Sequence, residues 1–278
     1  MPVVQAGDVR LHYVEHGDGP EPLVFIHGYT SSANNWVETL PRLPDRYHAY
    51  AFDLRGAGES DKPAGAHGPA VYADDIHRAT QALGLDTFSF IGHSMGGVTG
   101  MQFAVSHPER LRKLVLVAPA PSGGLSSDPE LRQQMKAMRG NRDAMRQFWQ
   151  VMMVRPENGV YSDALIDLAI DDDLKWSETA YDGAWQAMAE LRLAEAITHL
   201  QVPTLMVVGD RDFLREANLE DAARIPDCAL QVFYRAGHLI PFDVPDAFVT
   251  LLDDFLQHGA APASTLLTNT GEALATRA

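Results

Sequence analysis

A short stretch in the first half of the chain places a serine between two glycines, in the pattern Gly-x-Ser-x-Gly over Gly92–Gly96. It follows an apolar strand pattern, Phe88–Ile91, and leads into a helical pattern, Met95–Ser106. A free serine hydroxyl is a poor nucleophile, so an enzyme that uses it exposes it on a tight turn where a base and hydrogen-bond donors can reach it. The flanking glycines leave room for that turn. A plain strand-to-helix connection is the alternative, but the pattern predicts that Ser94 is a nucleophile.

A nucleophilic serine needs a base, which in chains with this serine turn is a histidine near the end of the sequence. The last apolar strand pattern is Leu230–Tyr234, and Arg235–Gly237 leads from it to His238. A further helical pattern starts near Pro245. We therefore predict that His238 is the general base, in preference to an ordinary loop histidine.

The base needs an acid that orients its ring, and this acid should follow a strand that ends at the same edge of the sheet. The run Ala118–Pro121, after one such strand, contains no carboxylate. Asp210 and Asp212 both follow another strand, Leu205–Val208. Asp212 lies further out on the loop and is the predicted acid, whereas Asp210 is expected to hold the turn through backbone amides.

Attack on a carbonyl also needs two donors for the negative oxygen that forms. The amide directly after the serine, that of Met95, is one candidate. The second is predicted in the loop after an earlier strand, where Gly28 allows close approach and Tyr29 supplies the amide. His27 is expected to brace this loop. Trp36 has two interpretations, as part of the pocket or as core packing of the next helix.

Apolar runs alternate with helical patterns, as expected for a mostly parallel sheet with helices on both faces. The first of the predicted strands alternates apolar and polar residues and should be antiparallel. The predicted strands are Val9–Val14, Leu23–Ile26, Tyr50–Phe52, Phe88–Ile91, Leu114–Val117, Leu205–Val208 and Leu230–Tyr234. From Pro119 to about His199 helical segments follow one another without a strand, which predicts an inserted helical cap.

Methionines and aromatic residues recur at helical intervals within this insertion. Most are expected to form the core of the cap, and the remainder to line the roof of a pocket. They are Met135, Met138, Met145, Trp149, Met152, Met153, Trp176, Trp185, Met188 and Leu191.

The composition restricts the partners. The 278 residues include 22 lysines and arginines against 37 aspartates and glutamates, a net charge of −15, which disfavours nucleic acid and anionic membrane surfaces. One cysteine, Cys228, excludes an internal disulfide and argues against a cysteine-based metal site. The first residues lack the pattern of a signal peptide, and no run is long enough to span a bilayer, so a cytoplasmic protein is expected. The pattern does not decide between a monomer and a homodimer.

With these residues placed, the chain resembles the α/β-hydrolase superfamily, specifically its capped serine esterase and lactonase-like branch. Two further segments, Asp53–Ser60 and Ser106–Leu111, are similar to loops of that branch. The resemblance implies a doubly wound, mostly parallel eight-stranded sheet. The implied units are a core at 1–118 and 200–258, a helical cap at 119–199 and a flexible tail at 259–278.

Departures from neighbouring families narrow the chemistry. Haloalkane dehalogenases and epoxide hydrolases carry Asp as the nucleophile on this strand-to-helix turn, where this chain has Ser94. Hydrolases of ring-cleaved aromatic dienones often carry Asn before the serine, where this chain has His93, so carbon–carbon cleavage becomes a minority alternative. A Gly-x-Gly within Asp53–Ser60 lacks the third glycine of a dinucleotide site.

The leading hypothesis is a serine hydrolase for an uncharged, partly apolar carboxylic ester or lactone. Its cycle requires no cofactor and no metal. A ligand-binding protein on the same fold that turns over weakly is the competing class.

Overall fold

The computed structural model describes residues 2–125, 128–152 and 161–260, together with two short strands at 266–267 and 273–274. Its central element is an eight-stranded sheet. The strands are β1 (Val3–Ala6), β2 (Val9–His16), β3 (Glu21–Ile26), β4 (Tyr47–Phe52), β5 (Phe88–His93), β6 (Leu111–Val117), β7 (Thr204–Gly209) and β8 (Cys228–Phe233). Their order across the sheet is β1-β2-β4-β3-β5-β6-β7-β8.

Most neighbouring strands in this sheet are parallel. The exceptions are at one end, where β1 pairs with β2 and β2 pairs with β4 in antiparallel fashion. The pairs from β4 to β8 are all parallel. The mostly parallel, eight-stranded sheet predicted from the sequence is confirmed, including the early antiparallel strand at Val9–Val14.

Helices cover both faces of the sheet. The α-helices that the structure describes are α1 (Pro69–Ala82), α2 (Met95–Ser106), α3 (Pro129–Met138), α4 (Arg142–Met152), α5 (Asp163–Leu174), α6 (Glu178–Ala189), α7 (Arg215–Arg224), α8 (Ile240–Asp243) and α9 (Pro245–His258). Because successive side chains of a strand point to opposite faces, β3 contributes to two cores. Val24 and Ile26 pack in the core that contains residues of α1 and α2, whereas Leu23 and Phe25 pack in the core that contains residues of α9. This two-sided burial holds the carboxyl ends of the strands in place.

One strand of the eight-stranded sheet has no counterpart among the predicted apolar runs. β1 is four residues long and lies at the edge of the sheet, with Val3 and Gln5 exposed and Val4 and Ala6 buried. Only two of its side chains reach the core, so it carries too few apolar residues to form a recognisable run.

The segment between β6 and β7 is helical. In the part of it that the structure describes, the helices are α3 to α6 and there is no strand. The exact limits of the cap at 119–199 stay a prediction. The tail predicted at 259–278 lies mostly outside the described residues, and within it β9 (Leu266–Leu267) pairs antiparallel with β10 (Ala273–Leu274). Among the described residues, no helix is both long and apolar enough to cross a membrane.

Candidate active site

Ser94 lies on a sharp turn between β5 and α2. Its backbone has φ +54° and ψ −114°, in the left-handed region that side chains disfavour. A Cβ added at Gly92 would lie 2.2 Å from the carbonyl oxygen of Gly96, and one added at Gly96 would lie 2.2 Å from that of Ile26. Both positions therefore require glycine, as the sequence predicts, and the strained turn raises the serine above the end of the sheet.

The residue predicted as base lies within hydrogen-bonding distance of both the predicted nucleophile and the predicted acid. His238 Nε2 is 3.0 Å from Ser94 Oγ, and His238 Nδ1 is 3.1 Å from both carboxylate oxygens of Asp212. Since the carboxylate accepts the Nδ1 proton, Nε2 carries the lone pair that accepts the serine proton. The arrangement can transfer a proton from the hydroxyl to the ring while the carboxylate stabilises the resulting cation.

The loop after β7 distinguishes the two candidate acids. The Asp212 side chain is fully buried against His238, and it also accepts a hydrogen bond from the Leu214 amide at 2.9 Å. Asp210 does not show the expected contacts at Oδ1, which is buried without a hydrogen-bond partner. Its backbone amide donates instead to Phe233 O at 3.0 Å. The turn is therefore held by the backbone of Asp210 at this point.

The two predicted oxyanion donors lie on either side of the serine. Met95 is the first residue of α2, where an amide has no acceptor within the helix. A Cβ added at Gly28 would lie 3.2 Å from Ser94 Cβ, so the loop that carries Tyr29 passes directly beside the nucleophile. His27 braces this loop, because its Nε2 accepts from the Leu54 amide at 3.1 Å. The role of the Met95 and Tyr29 amides stays a prediction.

The loop after β4, residues 53–60, is held by hydrogen bonds to a buried carboxylate and a serine hydroxyl. The buried Asp53 carboxylate accepts from the Ala33 amide at 2.7 Å and from the Glu59 amide at 2.8 Å. Ser60 Oγ donates to Asp53 O at 2.7 Å. These hydrogen bonds anchor the loop after β4 on the side of the sheet where Ser94 lies.

A hydrogen bond that the sequence did not suggest joins the turn at the serine to the residue predicted as base. His93, the residue before the serine, donates from Nε2 to the carbonyl oxygen of His238 at 2.8 Å. Burial, with the nearby His238 ring adding to it, lowers the pKa of His93 to about 3, so the ring stays neutral. His93 thus fixes the backbone that carries the base.

The Tyr29 side chain ties the loop after β3 to helices α3 and α6. Its hydroxyl donates to Tyr181 O at 2.6 Å and accepts from Arg132 at 2.8 Å. The ring packs against Trp176, Tyr181 and Trp185, with ring centroids 5.3 to 5.7 Å apart. Burial raises the pKa of Tyr29, so the phenol remains a neutral donor.

A cavity of about 930 Å³ opens beside the serine and the base. Its lining is mainly apolar. The apolar and aromatic lining residues include Leu125, Met135, Phe148, Trp149, Leu165, Leu168, Trp185, Met188, Phe213, Leu239 and Phe242. Phe213 is 64% exposed, and its ring centroid lies 4.9 Å from that of His238, so it stands at the mouth of the cavity over the base.

The structure separates the methionine and aromatic residues of the helical segment between β6 and β7, which the sequence could not sort. Four of the predicted methionine and aromatic residues line this cavity, namely Met135, Trp149, Trp185 and Met188. Met145 and Trp176 are buried in cores. Met153 and the side chain of Met152 lie outside the described residues. Trp36 is fully buried against Phe25 and Phe248 and is core.

Comparison with known proteins agrees with this geometry. A family model of the alpha/beta hydrolase fold matches residues 21–150. N-formylmaleamate deformylase of Pseudomonas putida KT2440 is 30% identical over 273 residues, covering 92% of this chain and 96% of that protein. The 2-hydroxy-6-oxononadienedioate/2-hydroxy-6-oxononatrienedioate hydrolase 2 of Pseudomonas putida is 27% identical over 267 residues, covering 90% and 93%. The enol-lactonase of Burkholderia xenovorans LB400 shares the fold, with a TM-score of 0.82 at 22% identity over 92% of this chain and 100% of that one. The chain therefore belongs to the α/β-hydrolase family.

Proposed function

We propose that this protein is a serine hydrolase that cleaves an uncharged, partly apolar carboxylic ester or lactone through an acyl-enzyme on Ser94. The observation that carries the proposal is the Ser94–His238–Asp212 hydrogen-bonded chain at the wall of a largely apolar cavity. An ester carbonyl bound there would meet the serine oxygen and the two loop amides together.

The proposed cycle has two halves. Ser94 Oγ attacks the carbonyl carbon as His238 Nε2 takes its proton, and the Met95 and Tyr29 amides stabilise the oxyanion. The tetrahedral intermediate collapses, and His238 gives the proton to the leaving alcohol, or to the ring oxygen of a lactone. Water then attacks the acyl-enzyme with His238 as base, which releases the acid and restores Ser94.

The charges of the cavity disfavour an anionic substrate. Four lining residues are acidic, namely Asp172, Glu216, Glu220 and Asp221. Arg224 also lines the cavity, but it pairs with Glu220 at 3.3 Å and with Asp221 at 2.7 Å. A dianionic substrate would meet more carboxylates than cations at this wall.

We propose that the protein acts in the cytoplasm, a compartment that keeps Cys228 reduced.

Carbon–carbon cleavage is the second candidate, because one relative is by name a hydrolase of a ring-cleaved dienedioate. The other relative is by name a deformylase. The N-formyl amide bond is therefore a further bond whose cleavage should be tested. The cavity charge argues against an acidic dienedioate as the substrate of this chain.

The test is turnover of four substrate types by the wild type, Ser94→Ala and a control, Ser106→Ala, at an exposed serine of α2. The substrates are p-nitrophenyl esters from acetate to decanoate, small lactones, a ring-cleaved dienone and an N-formyl amide. We expect the wild type and Ser106→Ala to hydrolyse esters or lactones, with a loss of roughly 10³-fold or more in kcat for Ser94→Ala. Cleavage of the dienone or the formamide alone would overturn the ester and lactone assignment. Ligand binding without Ser94-dependent turnover would favour a binding protein.

A further inference from the structure

Helix α5 presents an apolar stripe to the cavity that ends in a carboxylate. Leu165, Leu168, Ala169 and Asp172 all line the cavity, at the 3- and 4-residue spacing that puts them on one helix face. Asp172 is 3% exposed. A position on this face would ordinarily hold an apolar side chain, so the carboxylate needs an explanation.

The two aspartates that flank Asp172 along the chain pair with arginines, and Asp172 differs from both. Asp171 is exposed and pairs with Arg142 at 2.7 Å, and Asp173 pairs with Arg139 at 3.2 Å. Asp172 forms no ion pair with a described residue; it accepts hydrogen bonds from Ser32 Oγ at 2.8 Å and Asn34 Nδ2 at 2.9 Å.

Such a carboxylate is costly for folding. Burial raises the pKa of Asp172 to about 6, and the hydrogen bonds from Ser32 and Asn34 offset only part of that rise. Two neutral donors compensate a buried carboxylate less well than a cation would. A group that costs stability within a cavity is a candidate for ligand recognition.

Asn35 supplies the second observation. It is 3% exposed, it lines the same cavity, and its Nδ2 is buried without a hydrogen-bond partner. It directly follows Asn34, which is bonded to Asp172, in the 3₁₀ turn Ala33–Trp36. Asn35 is therefore a cavity-lining residue with an unused donor. It is adjacent in the chain to Asn34, which contacts a carboxylate with lone pairs to spare.

We infer that Asn35 and Asp172 form a polar subsite that binds a hydroxyl group of the substrate. A hydroxyl can accept a hydrogen bond from Asn35 and donate one to Asp172, and so satisfies both groups. An ammonium group could not accept from Asn35, and a carboxylate would be repelled by Asp172. The inference rests on the proposed function and narrows it, because it makes the substrate a hydroxylated ester or lactone.

The experiment compares matched substrates that differ in one group. They are ethyl butyrate with ethyl 3-hydroxybutyrate and ethyl 3-aminobutyrate, and γ-butyrolactone with its 2-hydroxy and 3-hydroxy derivatives. We expect the wild type to favour a hydroxylated member of at least one set by roughly tenfold or more in kcat/KM, the value of one hydrogen bond to a charged group. Asn35→Ala and Asp172→Leu should reduce that ratio to about one, while Asp172→Asn should retain part of it.

The control and the contrary outcomes separate this inference from the proposed function. Asp171→Asn, on the exposed face of the same helix, should keep the wild-type ratio. Thermal unfolding of each variant shows whether it folds, and the isosteric Asp172→Asn variant carries the test if Asp172→Leu does not. Equal rates for hydroxylated and parent compounds in the wild type would overturn the subsite and leave the hydrolase proposal standing. A preference for the amino ester would replace the hydroxyl with a cation. A wild type that cleaves none of these compounds, and none of the simple esters and lactones above, would overturn both.

Discussion

Several buried carboxylates of this protein have pKa values well above the ordinary value of an aspartate. Burial raises the pKa of both Asp172 and Asp173 to about 6 and that of Asp243 to about 7. Asp243 has one compensating contact, because its Oδ2 accepts from the Gly237 amide at 2.6 Å while its Oδ1 is buried without a partner. Asp243 therefore contacts Gly237, the residue that precedes His238, and its carboxyl ionises near neutral pH.

Replacing Asp243 by asparagine should change how stability depends on pH. Its folded-state pKa of about 7 lies above the ordinary value of 3.8. The carboxyl therefore contributes stability that is fully present below about pH 4 and is lost as the pH rises through about 7. Asparagine cannot ionise, so Asp243→Asn should match the wild type near pH 4 and exceed it at pH 8, by on the order of 2–4 kcal/mol. Urea unfolding at pH 4, 6 and 8 measures this difference, and a constant offset between the two proteins would contradict it.

At the scale of single elements, the strand-to-helix turn after β5 determines where the nucleophile stands. Gly96 lies in the first turn of α2, and the backbone carbonyls of Ile26 and His27 leave no space for a Cβ there. The close approach brings α2 against the loop after β3, which carries the second predicted oxyanion amide. A shift of the helix would thus disturb both the serine and its donors.

Gly96→Ala should therefore lower both stability and turnover. A Cβ there would lie 2.2 Å from Ile26 O, a backbone atom that cannot rotate away, and we expect a loss of about 1–3 kcal/mol in the free energy of unfolding. Gly123→Ala is the matched control, because nothing lies within 4 Å of its added Cβ and its φ is not positive. That change should stay within about 1 kcal/mol of the wild type. Chemical unfolding of both variants, with ester turnover of Gly96→Ala, tests this expectation. Equal losses of stability in the two variants would show that the close packing at Gly96 is unimportant.

At the scale of the whole molecule, one interface joins the helical segment between β6 and β7 to the loops after β3 and β4. Trp176, between α5 and α6, is 3% exposed, and its Nε1 donates to Ser31 O at 2.7 Å. Its ring packs edge-on against His27 and Tyr29, with centroids 6.0 and 5.3 Å away. Nearby, Lys175 forms an exposed ion pair with Glu59 at 2.7 Å. We propose that residues 119–199 act as a cap that this interface holds over Ser94.

The two neighbouring contacts should differ greatly in what they contribute. Trp176→Ala removes a large buried ring and its hydrogen bond, so we expect a loss of about 3–5 kcal/mol in the free energy of unfolding. Lys175→Ala removes an exposed ion pair and should change it by less than about 1 kcal/mol. Denaturant unfolding monitored by circular dichroism provides both numbers. A small effect of Trp176→Ala would mean that the cap is attached elsewhere.

The sequence by itself determined the elements and the residues that stand at their ends. Strand patterns depend on local alternation and apolar runs. Ser94 directly follows β5, and Asp212 and His238 lie in the loops after β7 and β8. Because the carboxyl ends of parallel strands share one edge of the sheet, their position after the strands was enough to predict that they meet. β1 escaped this reasoning because a short edge strand buries only two side chains.

Only the tertiary structure decided which side chains of the helical segment face the cavity. Met135 and Met145 are both methionines at helical spacing, yet one lines the cavity and the other is core, since the difference depends on how α3 and α4 are rotated against their neighbours. The bonds from His93 to the His238 carbonyl and from Arg132 to Tyr29 join residues 145 and 103 positions apart, beyond any local pattern. In the run Asp171–Asp173 the sequence shows three equal acids, and folding alone made the middle one the buried carboxylate of the cavity wall.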